Sequence, residues 1–110
     1  MLRHRVSTVI ERNVEWTGSC ATEPLECGWA REAVVFVRAL KPASGTLPSA
    51  SVEISPDGIR WAAEGTELEL PTGVDAFTFA RVRHFGGFLR IAAELGDARL
   101  AILVTVHLKG

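Results

Sequence analysis

The sequence lacks the long apolar segments that mark membrane and secreted proteins. Its 110 residues contain no run of about 18 apolar residues, and the beginning of the chain has no apolar core of a secretion signal. We therefore expect neither a membrane span nor a secretion signal. The product is expected to remain in the cytoplasm where it is made, unless it leaves on the surface of an assembled, virion-like particle.

Cysteine and histidine are too sparse to predict a metal site. Cys20 and Cys27 are the only two cysteines, and a structural zinc site needs four ligands. The three histidines are far apart in sequence, and none has H-x-x-x-H spacing. Two free thiols are the simplest interpretation, with a disulfide left open if the two positions pair across a hairpin. We expect no metal and no cofactor.

Catalytic motifs are also missing. Ser55 lacks the G-x-S-x-G context that presents a nucleophile. Gly65 and the pair at 86–87 do not precede predicted helices, so these glycines cannot hold a phosphate at a helix N-terminus. His107 lies on the outward face of a predicted strand, where a solvent or interface role is expected. The sequence therefore predicts a protein that is not an enzyme.

Charge is nearly balanced in total but uneven along the chain. A net charge of −1 and a pI near 6.3 argue against nucleic acid or an anionic membrane as the main partner. Between Glu53 and Glu69 there are five acids and one base, whereas Arg81 to Arg90 has three arginines and no acid. Opposite charges on neighbouring strands stabilise a sheet, and we interpret the two segments as facing strands.

The stretch from Arg99 to Lys109 is the clearest structural signal. Large apolar residues occupy every second position, while the intervening positions are mostly small or polar. This period of two is typical of a β-strand with one buried face. Five large apolar residues on one face predict a central strand over a core, formed by Leu100, Ile102, Val104, Val106 and Leu108.

Other alternating segments, separated by turn-forming residues, predict an all-β fold. Turns are expected at Pro56 to Gly58, at Glu64-Gly65 and, as a tight hairpin, at Gly96-Asp97. Turn signals recur about every eight to twelve residues along the chain, which is typical of a sandwich or a barrel. We predict one domain over residues 1–110: an antiparallel, jelly-roll-like β-sandwich of eight to ten short strands. Its core is predicted to contain Leu100, Ile102, Val104, Val106, Leu108, Leu89, Ile91, Val52, Ile54, Phe77 and Phe79.

Three features indicate contacts with other protein surfaces. Residues 1–16 form a possible N-terminal arm or edge strand, expected to pair with a sheet edge of its own domain or of a neighbouring subunit. The nearly continuous apolar run from Ala33 to Leu40 predicts a strand covered on both faces, or covered on one by a neighbouring subunit. Trp29, next to charged residues, is a candidate exposed anchor. The candidate interface residues are Leu2, Val6, Ile10, Trp16, Trp29, Val34 and Phe36.

The segment Val52-Glu-Ile-Ser-Pro-Asp-Gly-Ile-Arg-Trp61, followed by Phe88-Leu-Arg-Ile91, resembles a module found in two kinds of β-sandwich. One is the discoidin-like carbohydrate-binding jelly roll. The other is a set of small structural, decoration-type proteins of phage and phage-like particles. The phage proteins fit better, because the chain is markedly shorter than a discoidin-like domain. The resemblance covers roughly residues 33–110.

The resemblance to phage structural proteins implies a non-enzymatic function. It implies a capsid decoration protein or a self-assembling particle component, acting through protein–protein contacts with its own copies or with a shell protein. The alternative is a jelly-roll carbohydrate-binding module with a glycan as its ligand. Aromatic side chains exposed together on one rim, and binding on a glycan array, would favour the alternative, because an aromatic face suits the C–H side of a sugar ring.

Overall fold

The computed structural model describes residues 5–83 and 85–110. That part of the chain is all-β: it forms seven strands, and no helix lies between them. Two strands are unusually long, with 17 and 22 residues. The strands are β1 (Arg5–Ala21), β2 (Leu25–Glu26), β3 (Glu32–Ala39), β4 (Ala50–Ser55), β5 (Ala62–Leu68), β6 (Phe77–Arg83) and β7 (Phe88–Lys109).

All seven strands belong to one antiparallel sheet organised around β7. On one side of β7, the first part of the strand pairs with β4 and the last part pairs with β3. Strand β5 pairs with β4, and β6 pairs with β3, so the strand order is β5-β4-β7-β3-β6. On the other side, β1 and the short β2 pair with β7 of the same chain. The sheet curls until β5 approaches β6, so it is nearly barrel-shaped. This confirms the antiparallel all-β class and is compatible with a sandwich.

The predicted hairpin at Gly96-Asp97 is wrong, because the chain continues there in the same direction. Strand β1 runs along β7 past this point, with Thr17 opposite Arg99 and Ser19 opposite Glu94. The intervening residues of β7 therefore form a bulge, and Gly96 has a φ of 58°. A glycine with positive φ serves a bulge as well as a turn, and only the pairing distinguishes them.

The predicted turn at Glu64-Gly65 is wrong for the same reason. These residues lie within β5, where the register against β4 shifts between Ser51 and Glu53. Gly65 has a φ of 114° and forms part of this second bulge. Because two of the expected turns are bulges inside long strands, the part of the chain that the structure describes has seven strands rather than eight to ten.

The connection between β4 and β5 contains the predicted turn. Gly58 has a φ of 78°, which confirms that it needs the left-handed conformation. The loop is longer than a tight turn, however, because β5 begins only at Ala62. Ile59 is exposed because the loop projects from the sheet.

The core lies on the concave side of the curled sheet. The buried alternation of β7 is as predicted, and Leu89, Ile91 and Val52 are also buried. Ile54 is only partly buried and packs against the edge of the core. The central side chains are Leu100, Ile102, Val104, Val106 and Leu108 from β7, with Val35 and Val37 from β3.

The predicted core positions of Phe77 and Phe79 are wrong. Their rings are 62% and 49% exposed, while Ala80 and Val82 of the same strand are buried. The register explains the reversal, because β6 pairs Ala80 with the buried Val35 of β3. The small and branched residues of β6 therefore face the core, and its phenylalanines face outward.

Within residues 5–83 and 85–110, the structure contains no helix long and apolar enough to span a membrane.

Candidate protein-protein interface

Strands β3, β6 and the last part of β7 present aromatic side chains on their outward side. Phe36 of β3 lies opposite Phe79 of β6 on one flank and Thr105 of β7 on the other. Phe77 lies opposite Arg38, which in turn lies opposite Leu103. We call this surface the aromatic face; its members are Phe36, Phe77, Phe79, Leu103, Thr105 and His107.

The rings of the aromatic face contact one another across the strands. The Phe36 centroid lies 6.2 Å from that of Phe77 and 5.8 Å from that of Phe79, both tilted. The His107 imidazole stands edge-on to Phe36 at 5.3 Å, and its Nδ1 lies 2.8 Å from Ser7 Oγ. The Phe36–His107 pair has the edge-to-face arrangement that aromatic pairs favour. The rings therefore form a preorganised cluster on a sheet rather than separate mobile side chains.

The aromatic face is open to solvent. An outward hollow of about 330 Å³ is lined by Phe36, Phe77 and their neighbours. Val9 of β1, opposite Thr105, extends the apolar surface and is also exposed. Contiguous exposed apolar patches on soluble proteins mark interaction sites, and aromatic residues are enriched at the centres of interfaces.

Cations surround the aromatic face. The Arg81 guanidinium carbon lies 5.2 Å from the Phe79 centroid, within cation–π range. Arg83 lies 3.8 Å from a Glu32 carboxylate oxygen, and Lys109 is exposed at the same end. Since Arg83 is paired with Glu32, the basic rim of the aromatic face comes from Arg81 and Lys109. Arginine beside exposed aromatics is the composition typical of protein–protein hot spots.

One of the seven candidate interface residues, Phe36, belongs to this surface, and a second, Val34, adjoins it on β3 opposite Arg81 and His107. Val34 and Phe36 are half-buried and point outward from β3, whose alternate positions are buried. The apolar run from Ala33 to Leu40 is thus covered on one side by the core. Its other side is only partly covered, by the rings of β6 and β7.

The other candidates lie elsewhere. Trp16 is only 2% exposed and belongs to the core, and Ile10 packs against the core from β1. Val6 lies opposite Leu108 near the start of β1 and is 43% exposed. Trp29 is 46% exposed in a loop beside the C-terminus. Leu2 lies outside the described residues.

Sequence reasoning missed Phe77 and Phe79 as surface residues. One signal was present: β6 places Phe77, Phe79, Arg81 and Arg83 on the same face of a strand. Two arginines on that face indicate that it is the solvent side, because charged residues are rarely buried unless paired.

The three tryptophans do not share a rim. Trp16 is in the core, and Trp29 lies against Gly110, where an added Cβ would be 3.2 Å from the indole. Trp61 is half-buried beneath Arg90, whose guanidinium carbon is 4.3 Å from the indole centroid. Arg90 Nε also donates a 2.7 Å hydrogen bond to Glu53. The ring of Trp61 is therefore occupied by a contact within the chain.

The loop before Trp61 is held by Asp57. Its Oδ1 accepts backbone hydrogen bonds from Arg60 at 2.9 Å and Ile59 at 2.8 Å, and the Ser55 hydroxyl donates to it at 3.0 Å. Its Oδ2 lies 2.7 Å from Arg60 Nη1. These hydrogen bonds, led by that from the Arg60 backbone, lower the pKa of Asp57 to about 2. The carboxylate has a structural role in fixing the loop.

Cys20 and Cys27 are both free, as the simplest interpretation predicted. Burial, followed by the charge of Glu94, raises the pKa of the Cys20 thiol to about 11. Burial, followed by Glu26, does the same for Cys27. Raised pKa values indicate inert thiols rather than nucleophiles. In the part of the chain that is described, no three His, Cys, Asp or Glu side chains are grouped so as to hold a metal ion.

A second surface lies on the outward side of the other half of the sheet. Here β1, β4 and the first part of β7 present small side chains around an open groove of about 440 Å³. Its wall includes the Glu53–Arg90 pair and the exposed Glu94. We call it the small-residue groove; its small lining residues are Ser19, Cys20, Ala21, Ser51, Ala92 and Ala93.

No protein-family model and no curated protein matches this sequence. Among solved structures, the SPBc2 prophage-derived protein YomS is similar, with a TM-score of 0.56 and 10% identity over 100% of this chain and 96% of that chain. A structure described as Bacillus endospore appendages that form disulfide-linked pili has a TM-score of 0.41 and 12% identity, covering 97% and 86%. The first similarity establishes a shared fold.

Proposed function

We propose that this chain is a non-enzymatic structural protein of a phage-like particle, a decoration or self-assembling component that acts through protein–protein contacts. The observation that carries the proposal is the aromatic face: three phenylalanines and a histidine lie together on the outward side of a sheet, and two of them, Phe77 and Phe79, are exposed. Apolar surface of this kind is unfavourable in free energy when it is exposed to water, and a partner that covers it removes that cost.

Two other observations support the proposal. The fold is shared with a prophage-derived protein, which agrees with a phage-like setting. The polar groups that could suggest chemistry also have structural explanations: Asp57 fixes a loop, Arg90 covers Trp61 and the thiols are protonated.

The test is the molar mass in solution of the purified protein over a range of concentrations, by light scattering, alone and with candidate shell protein. We expect the wild type to self-associate or to bind the shell, and Phe77→Ser to weaken that association by more than about tenfold. Ile59→Ser, at an exposed apolar position in the β4–β5 loop, is the matched control and should associate like the wild type.

Three outcomes would reject the proposal. The first is a wild type that stays monomeric at every concentration and ignores shell protein. The second is equal association of the Phe77→Ser variant and the wild type. The third is specific binding of a glycan in place of either protein contact, which would move the carbohydrate-binding alternative to first place.

A further inference from the structure

The aromatic face and the small-residue groove differ in every property that matters for recognition. Both surfaces contain an open hollow, but the first is lined by aromatic rings beside arginine, and the second is lined mainly by serine, alanine and cysteine. The two surfaces lie on different halves of the sheet, because they are carried by the last and the first parts of β7. The two surfaces therefore do not contact each other within one molecule.

The charges of the two surfaces are complementary. Within the described residues, Arg81 has its guanidinium against Phe79 and no carboxylate within salt-bridge distance. At the groove, Glu94 is exposed, and Glu67 of β5 lies opposite Ser51 and is exposed as well. Glu53 is paired with Arg90, so the acidic excess of the groove comes from Glu67 and Glu94.

We infer that the aromatic face of one copy docks in the small-residue groove of a second copy. This inference rests on the proposed function and names the partner as the chain itself. Phe77 and Phe79 would enter the groove over Ala92 and Ser51, and Arg81 would meet the acids at its margin. Aromatic anchors in a small-residue hollow, with complementary charges at the rim, are the arrangement that central hot spots use.

The same charges disfavour the symmetric alternative. Two aromatic faces brought together would place two basic rims in one contact, and like-charge juxtaposition opposes association. A contact between unlike surfaces is heterologous, so each copy keeps one free aromatic face and one free groove. Such contacts continue into a ring or a filament, as a particle component requires.

Complementation between two defective variants tests this arrangement. Phe77→Ser/Phe79→Ser destroys the aromatic face and leaves the groove intact, while Ala92→Arg fills the groove with a cation and leaves the aromatic face intact. We expect each variant alone to be monomeric and folded. Their mixture should form a heterodimer of one copy each and nothing larger, because only one intact face and one intact groove can meet.

Glu94→Lys provides a second groove variant at an exposed position, so that the test does not depend on how well Ala92→Arg folds. Glu94→Lys should weaken self-association by more than about tenfold. Mixing it with Arg81→Glu should restore part of the lost association, because the new glutamate of one variant can meet the new lysine of the other. Added salt should weaken the wild-type contact, because the rim charges are exposed.

The outcomes separate this inference from the proposed function. One outcome would reject head-to-tail docking alone: the aromatic variant loses association, but the groove variants assemble normally and the mixture forms no heterodimer. Association through the aromatic face would then still be supported. If the wild type neither self-associates nor binds shell protein, both are wrong. A heterodimer from the mixed variants would establish the docking.

Discussion

The two halves of β7 have similar inner faces and very different outer ones. Toward the core, Leu89 and Ile91 in the first half and Val104 and Val106 in the second alternate in the same way and are fully buried. Toward solvent, the first half presents Ala92 and Glu94 in the small-residue groove, and the second presents Leu103, Thr105 and His107 on the aromatic face. The inner alternation is what folding requires, and the outer residues are free to specify partners.

The bulge between the two halves explains how one strand can carry both surfaces. Several residues around Gly96 have no partner in β1, and a bulge bends a strand and increases its twist. The first half can then pair with β4 and the second with β3 on the same side. A strand without the bulge would offer one continuous outer face in place of two.

The largest effect is expected from placing a charge on the inner face of the second half. Val104→Asp puts a carboxylate into a site with no solvent exposure and no partner, and should lower the free energy of unfolding by more than about 4 kcal/mol. Thr105→Asp, one residue along and facing outward, is the matched control and should cost about 1 kcal/mol. Urea denaturation of both variants measures the difference. Equal costs would mean that the two faces of β7 are wrongly assigned.

The sequence predicted the inner face of β7 because a long alternation with one apolar side has only one stable orientation. It did not predict the orientation of β6, where both faces contain apolar residues. The pairing of Ala80 with Val35 turned Phe79 outward, and that pairing depends on the register with β3. The apolar alternation of β6 therefore predicted Phe77 and Phe79 on the wrong face, and only the two arginines on that face indicated the solvent side.

Gly96 shows a second reason why the sequence was insufficient. The same residues, glycine followed by aspartate, suit a hairpin turn or a bulge, and the choice depends on a partner strand distant in sequence. Here β1 supplies that partner, with Thr17 on one side of the bulge and Ser19 on the other. Local propensity identified the irregular position correctly but could not give the direction of the chain after it.

A smaller effect is expected at the loop that covers the start of β7. Gly58 has a φ of 78°, and a Cβ there would lie 3.5 Å from the Phe88 ring. Gly58→Val should lower the free energy of unfolding by roughly 1 to 3 kcal/mol, mainly because a branched residue is strained at positive φ. Hydrogen exchange should increase in β4 and the first half of β7 more than in the second half. An unchanged urea midpoint, or a uniform increase in exchange, would contradict a local role for the loop.

The smallest effect is expected from pH, and it too should be confined to the first half. The pKa of Asp57 is lowered from its ordinary value of 3.8 to about 2, chiefly by the hydrogen bond from the backbone N–H of Arg60. A carboxylate with a lowered pKa stabilises the folded state at pH values above its unfolded pKa. That contribution is lost as the pH falls from about 3.8 to about 2.

Replacement of Asp57 by Asn removes the group that titrates. The difference in unfolding free energy between wild type and Asp57→Asn should be constant above about pH 4 and should shrink as the pH approaches 2. Urea denaturation from pH 5 to 2 measures this difference, and NMR titration of the wild-type carboxyl gives its pKa directly. Since Asp57 fixes the loop that lies over Phe88, exchange in the first half of β7 should respond to acid before exchange in the second half. A carboxyl that titrates near 3.8, or a difference that does not vary with pH, would show that the hydrogen bonds to Asp57 do not hold this loop in solution.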